Sequence, residues 1–145
     1  METTDTDIEA ESTDSQFEPD RGRADSEVVG GLEENVAGAL TYLLGAITGI
    51  VFYLLEEDNE FVRFHAVQST IVFGGLIALS IGAMVVQIVL GAIPFVGWVA
   101  ALVVGMLSLL LIPLGFVLWI LLLVKAYSGE RYGLPIVGGV AERYV

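Results

Sequence analysis

The sequence predicts an all-α integral membrane protein, a three-helix bundle that follows a disordered acidic N-terminal tail. The first observation is that residues 64–124 contain no Asp, Glu, Lys or Arg, whereas charged residues make up about a quarter of a soluble domain. The second observation is the length of this stretch. One continuous helix would be about 90 Å long, roughly three times the hydrocarbon thickness, so the chain has to turn back once.

The turn is predicted at residues 91–97, where two glycines and a proline occur without any charge. An earlier apolar stretch is long enough for a first crossing. Pro113 is predicted to kink the last helix rather than to divide it, because residues 98–112 are too few to cross a bilayer. The predicted spans are residues 36–55, 61–90 and 98–125, in a membrane domain of residues 35–127 that lies between a tail of residues 1–34 and a short tail of residues 128–145.

The charge of the chain is concentrated near its N-terminus. The formal net charge is −12, and the first 35 residues hold twelve acidic residues and two arginines, a net of −10. Because such residues cannot bury a core, residues 1–34 are predicted to be disordered. An acidic soluble portion is typical of a protein from a halophilic archaeon, and equally of an ordinary solvated tail.

The predicted location is the cell membrane, with several crossings. Three crossings place the C-terminus opposite the N-terminus, and the C-terminal side then holds four basic residues against two. The positive-inside rule therefore predicts a cytoplasmic C-terminus and an external acidic tail. Trp98, Trp119, Tyr127 and Tyr132 fall near predicted helix ends and are expected to mark the two interfaces.

Small residues recur at four-residue spacing on each predicted helix. This spacing keeps them on one face, where two backbones can approach closely. The pattern predicts packing faces, used within the bundle or in a homo-oligomer, although a Gly-rich and Ala-rich membrane composition also produces it. The residues are Gly45 and Gly49, then Gly74, Ala78 and Gly82, then Ala101 and Gly105.

The densest polar cluster beside the membrane is Glu60, Arg63, His65 and Gln68, at the start of the second span. Glu60 and Arg63 are three residues apart and can pair on a helix. His65 is the only histidine and the only side chain expected to titrate near neutrality. One interpretation is a proton-sensitive gate or a ligand contact. The favoured one is an interfacial anchor, in which His65 bonds to headgroups or to a neighbouring helix.

No nucleophile–base pair, metal-ligand set, phosphate loop or nucleic-acid patch is recognisable in the sequence. We therefore predict no catalytic residue, no cofactor and no metal. Cysteine is absent, so neither disulfides nor thiolate chemistry contribute. The expected partners are the lipid bilayer and either a second copy or other membrane proteins, without nucleic acid.

Two stretches resemble a known family. The first begins Asn-Val-Ala-Gly-Ala-Leu-Thr-Tyr at residue 35 and continues through Glu-Asp-Asn-Glu-Phe-Val-Arg-Phe-His-Ala-Val-Gln-Ser at residues 57–69. The second is Lys-Ala-Tyr-Ser-Gly-Glu-Arg-Tyr-Gly-Leu-Pro-Ile-Val-Gly at residues 125–138. In the second stretch the candidate C-tail motif is Lys125, Tyr127, Gly129, Glu130, Arg131, Tyr132 and Pro135.

Together these stretches resemble a family of small uncharacterised membrane proteins of bacteria and haloarchaea. That family is related to a channel-associated subunit of the plastid inner-envelope import translocon (Tic). The resemblance covers residues 33–145 and implies a helical fold and membrane residence. The plastid relative is drawn with four spans, whereas this chain has room for three.

The expected function is that of a small non-enzymatic multi-pass membrane subunit, which packs with itself or with partner proteins. The alternative is an oligomeric pore or transporter component of translocon-like type, lined by Ser80, Gln87 and Ser108. An enzyme would need ionisable groups clustered at one depth. The two polar motifs are predicted on one side of the membrane, and they can dock if Arg131 pairs with Glu60 or Glu57 and Arg63 with Glu130.

Overall fold

The structure, a computed structural model, describes Val28 and residues 30–145. The regular elements in this part of the chain are helices, joined by short turns and loops, and a single β-bridge links Val28 and Leu32. The disordered tail predicted for residues 1–34 lies outside the described residues except at its end. The helices are α1 (Glu34–Leu40), α2 (Ala46–Leu55), α3 (Glu60–Gly91), α4 (Val96–Leu109), α5 (Leu111–Tyr127) and α6 (Val137–Ala141), and a 3-10 turn follows at Glu142–Tyr144.

Two helical stretches are long and apolar enough to cross a membrane: α3, and α4 with α5 as Val96–Tyr127. Each has 32 residues, about 48 Å at 1.5 Å per residue, which exceeds the hydrocarbon thickness of about 30 Å. Asn59 caps α3, and its side chain accepts a hydrogen bond from the Val62 backbone at 3.0 Å. The helix is interrupted at Leu110, near the predicted kink, because Pro113 has no N–H for the carbonyl of Leu109, four residues before it.

The predicted first span, residues 36–55, is not a continuous helix. The chain reverses between α1 and α2, at residues 41–45, and both short helices pack on the first half of α3. The contacts with α3 show the reversal. From Gly38 to Gly45 the partner on α3 changes from Phe61 to Phe73, and after the turn it moves back, to Thr70 for Gly49 and to Arg63 for the Glu56 carbonyl. The α1–α2 hairpin therefore enters and leaves at the same end of α3, and the prediction of a full crossing there is wrong.

Local chemistry explains the reversal. Gly45 has a φ of +60°, a conformation that glycine adopts without steric penalty. Side chains donate to the carbonyls at the reversal: Ser69 Oγ donates to Thr41 at 2.8 Å and to Gly45 at 2.9 Å, and Trp119 Nε1 donates to Tyr42 at 2.7 Å. Irregular backbone at membrane depth requires such partners. Trp119 therefore lies against the hairpin within the bundle, not at the interface predicted for it.

The two ends of the bundle differ. One end, here called the near end, gathers the start of α1, the start of α3 and the end of α5, with Asn35 against Gly129. The opposite end, the far end, is the connection between α3 and α4 at residues 92–95. The entry of α1 and the exit of α5 lie together in the described residues, whereas three crossings would have separated them.

The core of the described residues lies in the near half. One buried cluster joins Tyr42 to Leu122 and Ala126, and another joins Ala37 to Val62. Beyond the tip of the α1–α2 hairpin, the second half of α3 lies beside α4 and α5, with Gln87 against Gly105 and Leu76 against Gly115, and many of its apolar side chains are exposed. A cleft of about 510 Å³ opens at this boundary. It is lined by Leu44, Phe73, Ile81, Ser80, Ser108 and Ile112, among others.

The small residues singled out in the sequence have different environments. Gly49 lets α2 approach the backbone of α3, since a Cβ there would lie 2.8 Å from the Ala66 carbonyl oxygen. Gly105 on α4 faces the side chain of Gln87. The others divide as follows: Gly45 and Gly74 lie beside the hairpin tip, Ala101 is half-buried on α4, and Ala78 and Gly82 are exposed on α3.

Candidate functional site

A group of buried polar side chains joins three separate segments at the near end. We call it the polar junction: Tyr42 after α1, His65 and Gln68 on α3, and the backbone of Tyr132 and Leu134. The three side chains are fully buried. The carboxamide of Gln68 bonds at both its ends, because Nε2 donates to the Tyr132 carbonyl at 3.0 Å and to the Tyr42 hydroxyl at 3.3 Å, while Oε1 accepts from Leu134 N at 3.3 Å.

His65 is held by the same network. Its Nδ1 lies 3.0 Å from the Tyr42 hydroxyl. The hydroxyl also accepts a hydrogen from Gln68 Nε2, and the donor in its bond with Nδ1 depends on the tautomer of the ring. Among the described residues Nε2 has no hydrogen-bond partner, although the backbone of Glu130 acts on the ring electrostatically. Of the two interpretations of the motif, this geometry matches an anchor to a neighbouring segment.

Arg131 connects the C-terminal segment to the start of α3. Its Nη1 lies 3.7 Å from Glu60 Oε2, its Nη2 donates to the Glu60 carbonyl at 3.5 Å, and its guanidinium stacks 5.0 Å from the centre of the Phe64 ring. This is one of the pairings expected between the two polar motifs. Both side chains are exposed, so we assign the pair only about 0–1 kcal/mol.

Arg63 makes contacts other than those predicted for it. It donates to the carbonyl of Glu56 at 3.1 Å and to that of Tyr144 at 3.2 Å, and so ties the end of α2 and the last residues of the chain to α3. Glu130, a predicted partner of Arg63, pairs instead with Lys125 at 2.7 Å. The charged residues at the near end therefore fix the positions of segments around α3.

The remaining residues of the C-tail motif support this folded arrangement. Gly129 has a φ of +74° and lies against the amide of Asn35. The Tyr132 ring lies 5.7 Å below Lys125 Nζ, Pro135 begins the turn into α6, and Tyr127 is exposed. Residues 128–145 are thus a packed segment that covers the polar junction.

The chemistry available to this site is limited. In the described part of the chain, no three His, Asp or Glu side chains come together as metal ligands. Every polar atom of Gln68 and Tyr42 is engaged in joining segments. The polar junction acts as a clamp between the α1–α2 hairpin, α3 and the C-terminal segment.

One known protein family matches nearly all of the described residues. The sequence profile of the magnetosome magnetite crystal formation protein family (MamF/MmsF) matches residues 32–140. The chain belongs to this family. The matched region of the MamF/MmsF profile includes both transmembrane stretches, the α1–α2 hairpin and the whole polar junction.

Archaeal relatives are similar over the same region. A UPF0132 membrane protein of Methanocaldococcus jannaschii is 51% identical over 114 residues, which is 79% of this chain and 90% of the relative. A UPF0132 membrane protein of Archaeoglobus fulgidus is 44% identical, over 79% of this chain and 97% of the relative. No solved structure matches. Membership of a family of small prokaryotic membrane proteins is confirmed, while the relation to the plastid translocon subunit and the halophilic source stay predictions.

Sequence reasoning about this MamF/MmsF family member missed several residues of the site. Tyr42 and Ser69 were not among the candidate site residues, and Trp119 was expected at the interface, yet all three bond across segments. A usable signal was present, since tyrosine, serine and threonine at residues 41, 42, 48 and 69 interrupt otherwise apolar stretches. Buried polar side chains between membrane helices commonly bond across them.

Replacing Gln68 by leucine is expected to destabilise the protein. The variant Gln68→Leu keeps the volume but leaves the Tyr132 carbonyl and the Leu134 N–H without partners, at about 1–3 kcal/mol for each buried group. We expect a lower thermal midpoint in detergent micelles and faster tryptic cleavage after Arg131. Ser80→Ala is the control, because its hydroxyl bonds only within α3. Equal midpoints and cleavage rates for both variants would contradict the clamp.

Proposed function

We propose that this protein is a non-enzymatic membrane subunit that acts by packing its far half against a second copy or against partner proteins. The observation that carries the proposal is the unequal covering of α3. The α1–α2 hairpin contacts the first half of α3, as at Phe61 and Phe73, whereas the side chains of Leu76 and Gln87 in the second half contact Gly115 on α5 and Gly105 on α4. A packing partner would cover the far half of the bundle, which includes the second half of α3, as the α1–α2 hairpin covers the first half of α3.

Three features of the far half support a protein neighbour. The cleft beside the hairpin tip is open and apolar. Ala78 and Gly82 leave open space on the exposed face of α3, which permits close helix approach. The Gln87 carboxamide makes no hydrogen bond to a described residue, and an amide within the membrane gains about 1 kcal/mol by bonding across helices.

The pore alternative has less support. The hydroxyls of Ser80 and Ser108 donate to carbonyls of their own helices at 2.8 and 2.7 Å. The carbonyls at the hairpin tip accept from side chains of the bundle. These polar groups are used within one chain, so we propose the subunit and not a pore or a translocon-like component.

We also propose that the near end faces the cytoplasm. Arg63, Lys125, Arg131 and Arg143 belong to it, whereas residues 92–95 of the far connection carry no charge. Basic residues beside spans are typical of the cytoplasmic side. The family is named for magnetite crystal formation, and the archaeal relatives are named membrane proteins, so we propose that this chain acts as a membrane component.

Cross-linking between single cysteines in native membranes tests the proposal. The variants Gly82→Cys and Ile112→Cys place thiols on two faces of the far half. Leu54→Cys on α2 is the control, because Leu54 is as exposed (70%) as Ile112 (69%) but lies outside the far half. We expect a covalent dimer, or a cross-link to one partner, from a far-half cysteine and not from residue 54. Adding Gln87→Leu should lower the yield several-fold. Failure of both far-half cysteines to cross-link would refute the proposal.

A further inference from the structure

The chain carries one five-residue pattern twice. The pattern is an aliphatic residue, proline, a large apolar residue, valine and glycine. The first copy, residues 93–97, leads from α3 into α4, and the second, residues 134–138, leads into α6. One copy forms the connection at the far end. The other follows the C-tail motif at the near end, where Leu134 is bonded to Gln68.

The two copies have the same backbone geometry. The central residues are Phe95, with φ 59° and ψ −55°, and Ile136, with φ 73° and ψ −57°. The hydrogen bonds are equivalent: Val96 N to Pro94 O at 2.7 Å and Val137 N to Pro135 O at 2.9 Å, then Gly97 N to Ile93 O and Gly138 N to Leu134 O. Each is therefore a γ-turn of positive φ that starts a helix, a rare and strained turn.

Glycine would suit the central position, yet both copies have a large apolar residue there. Positive φ is unfavourable for residues with a Cβ, most of all for a β-branched one such as isoleucine. The side chains do not gain contacts within the bundle in return, since Phe95 is 88% exposed and Ile136 is 87% exposed. Strain combined with full exposure indicates a contact outside the chain.

We propose that Phe95 and Ile136 are paired lipid anchors, inserted at the far and near boundaries of the membrane. Phe95 lies in the turn between the two membrane-crossing stretches, so it meets lipid at the far boundary. Ile136 begins α6, which packs on α3 beside an apolar groove of about 340 Å³ shared with α2. Ile50 and Leu54 line this groove and are exposed.

Lipid is the occupant that these surroundings favour. The groove beside α6 is lined mainly by aliphatic side chains, of which Ile50 and Leu54 on α2 are exposed. An apolar side chain at the headgroup–acyl boundary is stabilised by the apolar area that it buries. The anchors would hold the C-terminal segment against the near leaflet and fix the depth of the far connection, independently of any self-association.

Fluorescence quenching in liposomes tests the anchors. Ile136→Cys, Phe95→Cys and Gly139→Cys each carry one thiol, which is labelled with an environment-sensitive fluorophore. Gly139 is the control. It is exposed in α6, the short helix that follows Ile136, and it has open space around it. We expect iodide quenching constants at residues 95 and 136 to be at least threefold lower than at 139, with strong quenching by brominated lipid.

Two results would overturn the proposal. Iodide quenching at residue 136 equal to that at 139 would place the side chain in water. Weak quenching by both iodide and brominated lipid would place it under protein. A second variant, Ile136→Gly, relieves the strained φ, so its thermal midpoint in detergent is expected to stay unchanged. In liposomes we expect trypsin to cleave its C-terminal segment several-fold faster than that of the natural chain. Unchanged cleavage in liposomes would also reject the anchor.

Discussion

Cysteines at residues 33, 58 and 128 are expected to react with a membrane-impermeant maleimide from one side of the membrane, and a cysteine at residue 92 only from the other. The reason is the α1–α2 hairpin, which returns the chain to the near end before α3 begins. The natural chain has no cysteine, so each variant carries a single thiol. The variants are Glu33→Cys, Asp58→Cys, Ser128→Cys and Ala92→Cys, all at exposed positions.

The labelling result is all-or-none for each position. Right-side-out and inside-out vesicles should give opposite patterns, and detergent should make all four thiols reactive. Three crossings would instead place residue 33 with residue 92 and opposite to residues 58 and 128. Residue 33 thus distinguishes the two topologies, and labelling of Glu33→Cys together with Ala92→Cys would refute the hairpin.

The two long helices were predictable because their signal is local. An uncharged stretch of that length has lipid as its only solvent, and a glycine–proline turn divides it. The cap at Asn59 and the kink before Pro113 follow from the chemistry of a few neighbouring atoms. None of these features depends on what the rest of the chain does.

The α1–α2 hairpin was not predictable by the same reasoning. Residues 36–55 have the length and hydropathy of a crossing, and hydropathy does not distinguish a straight helix from one that reverses. The reversal depends on Ser69 and Trp119, which are far away in sequence and supply hydrogens to its carbonyls. Gly45 and Gly49 were interpreted as one packing face, whereas Gly45 belongs to the turn and Gly49 to the contact after it.

The candidate site was predictable only where its contacts join charged side chains. The Glu60–Arg131 pairing follows from opposite charges in two motifs expected on one side. The partners of Gln68 do not follow, because two of them are backbone groups of Tyr132 and Leu134, and any residue type supplies those. The paired γ-turns were visible as a repeated pattern, but their positive φ values became evident only from the backbone.

Replacing Gly49 by alanine is expected to separate the α1–α2 hairpin from α3. A Cβ at this position would lie 2.8 Å from the Ala66 carbonyl oxygen and 3.0 Å from the Thr70 nitrogen. Both are backbone atoms of α3, which cannot move aside as a flexible side chain does. Overpacking of this kind destabilises by about 1–3 kcal/mol, and the larger Gly49→Leu is expected to abolish the folded hairpin.

Gly75→Ala is the matched control, because Gly75 has open space around it on α3 and alanine favours a helix over glycine by about 1 kcal/mol. We expect Gly49→Ala to lower the thermal midpoint in a mild detergent and Gly75→Ala to leave it unchanged or raise it. In liposomes, Gly49→Ala should also increase labelling of a cysteine at buried Ala39, since α1 loses its support when α2 moves. If Gly49→Ala matched Gly75→Ala in both measurements, α2 would not lie against α3, and the folded-back first segment would have to be replaced by a straight crossing.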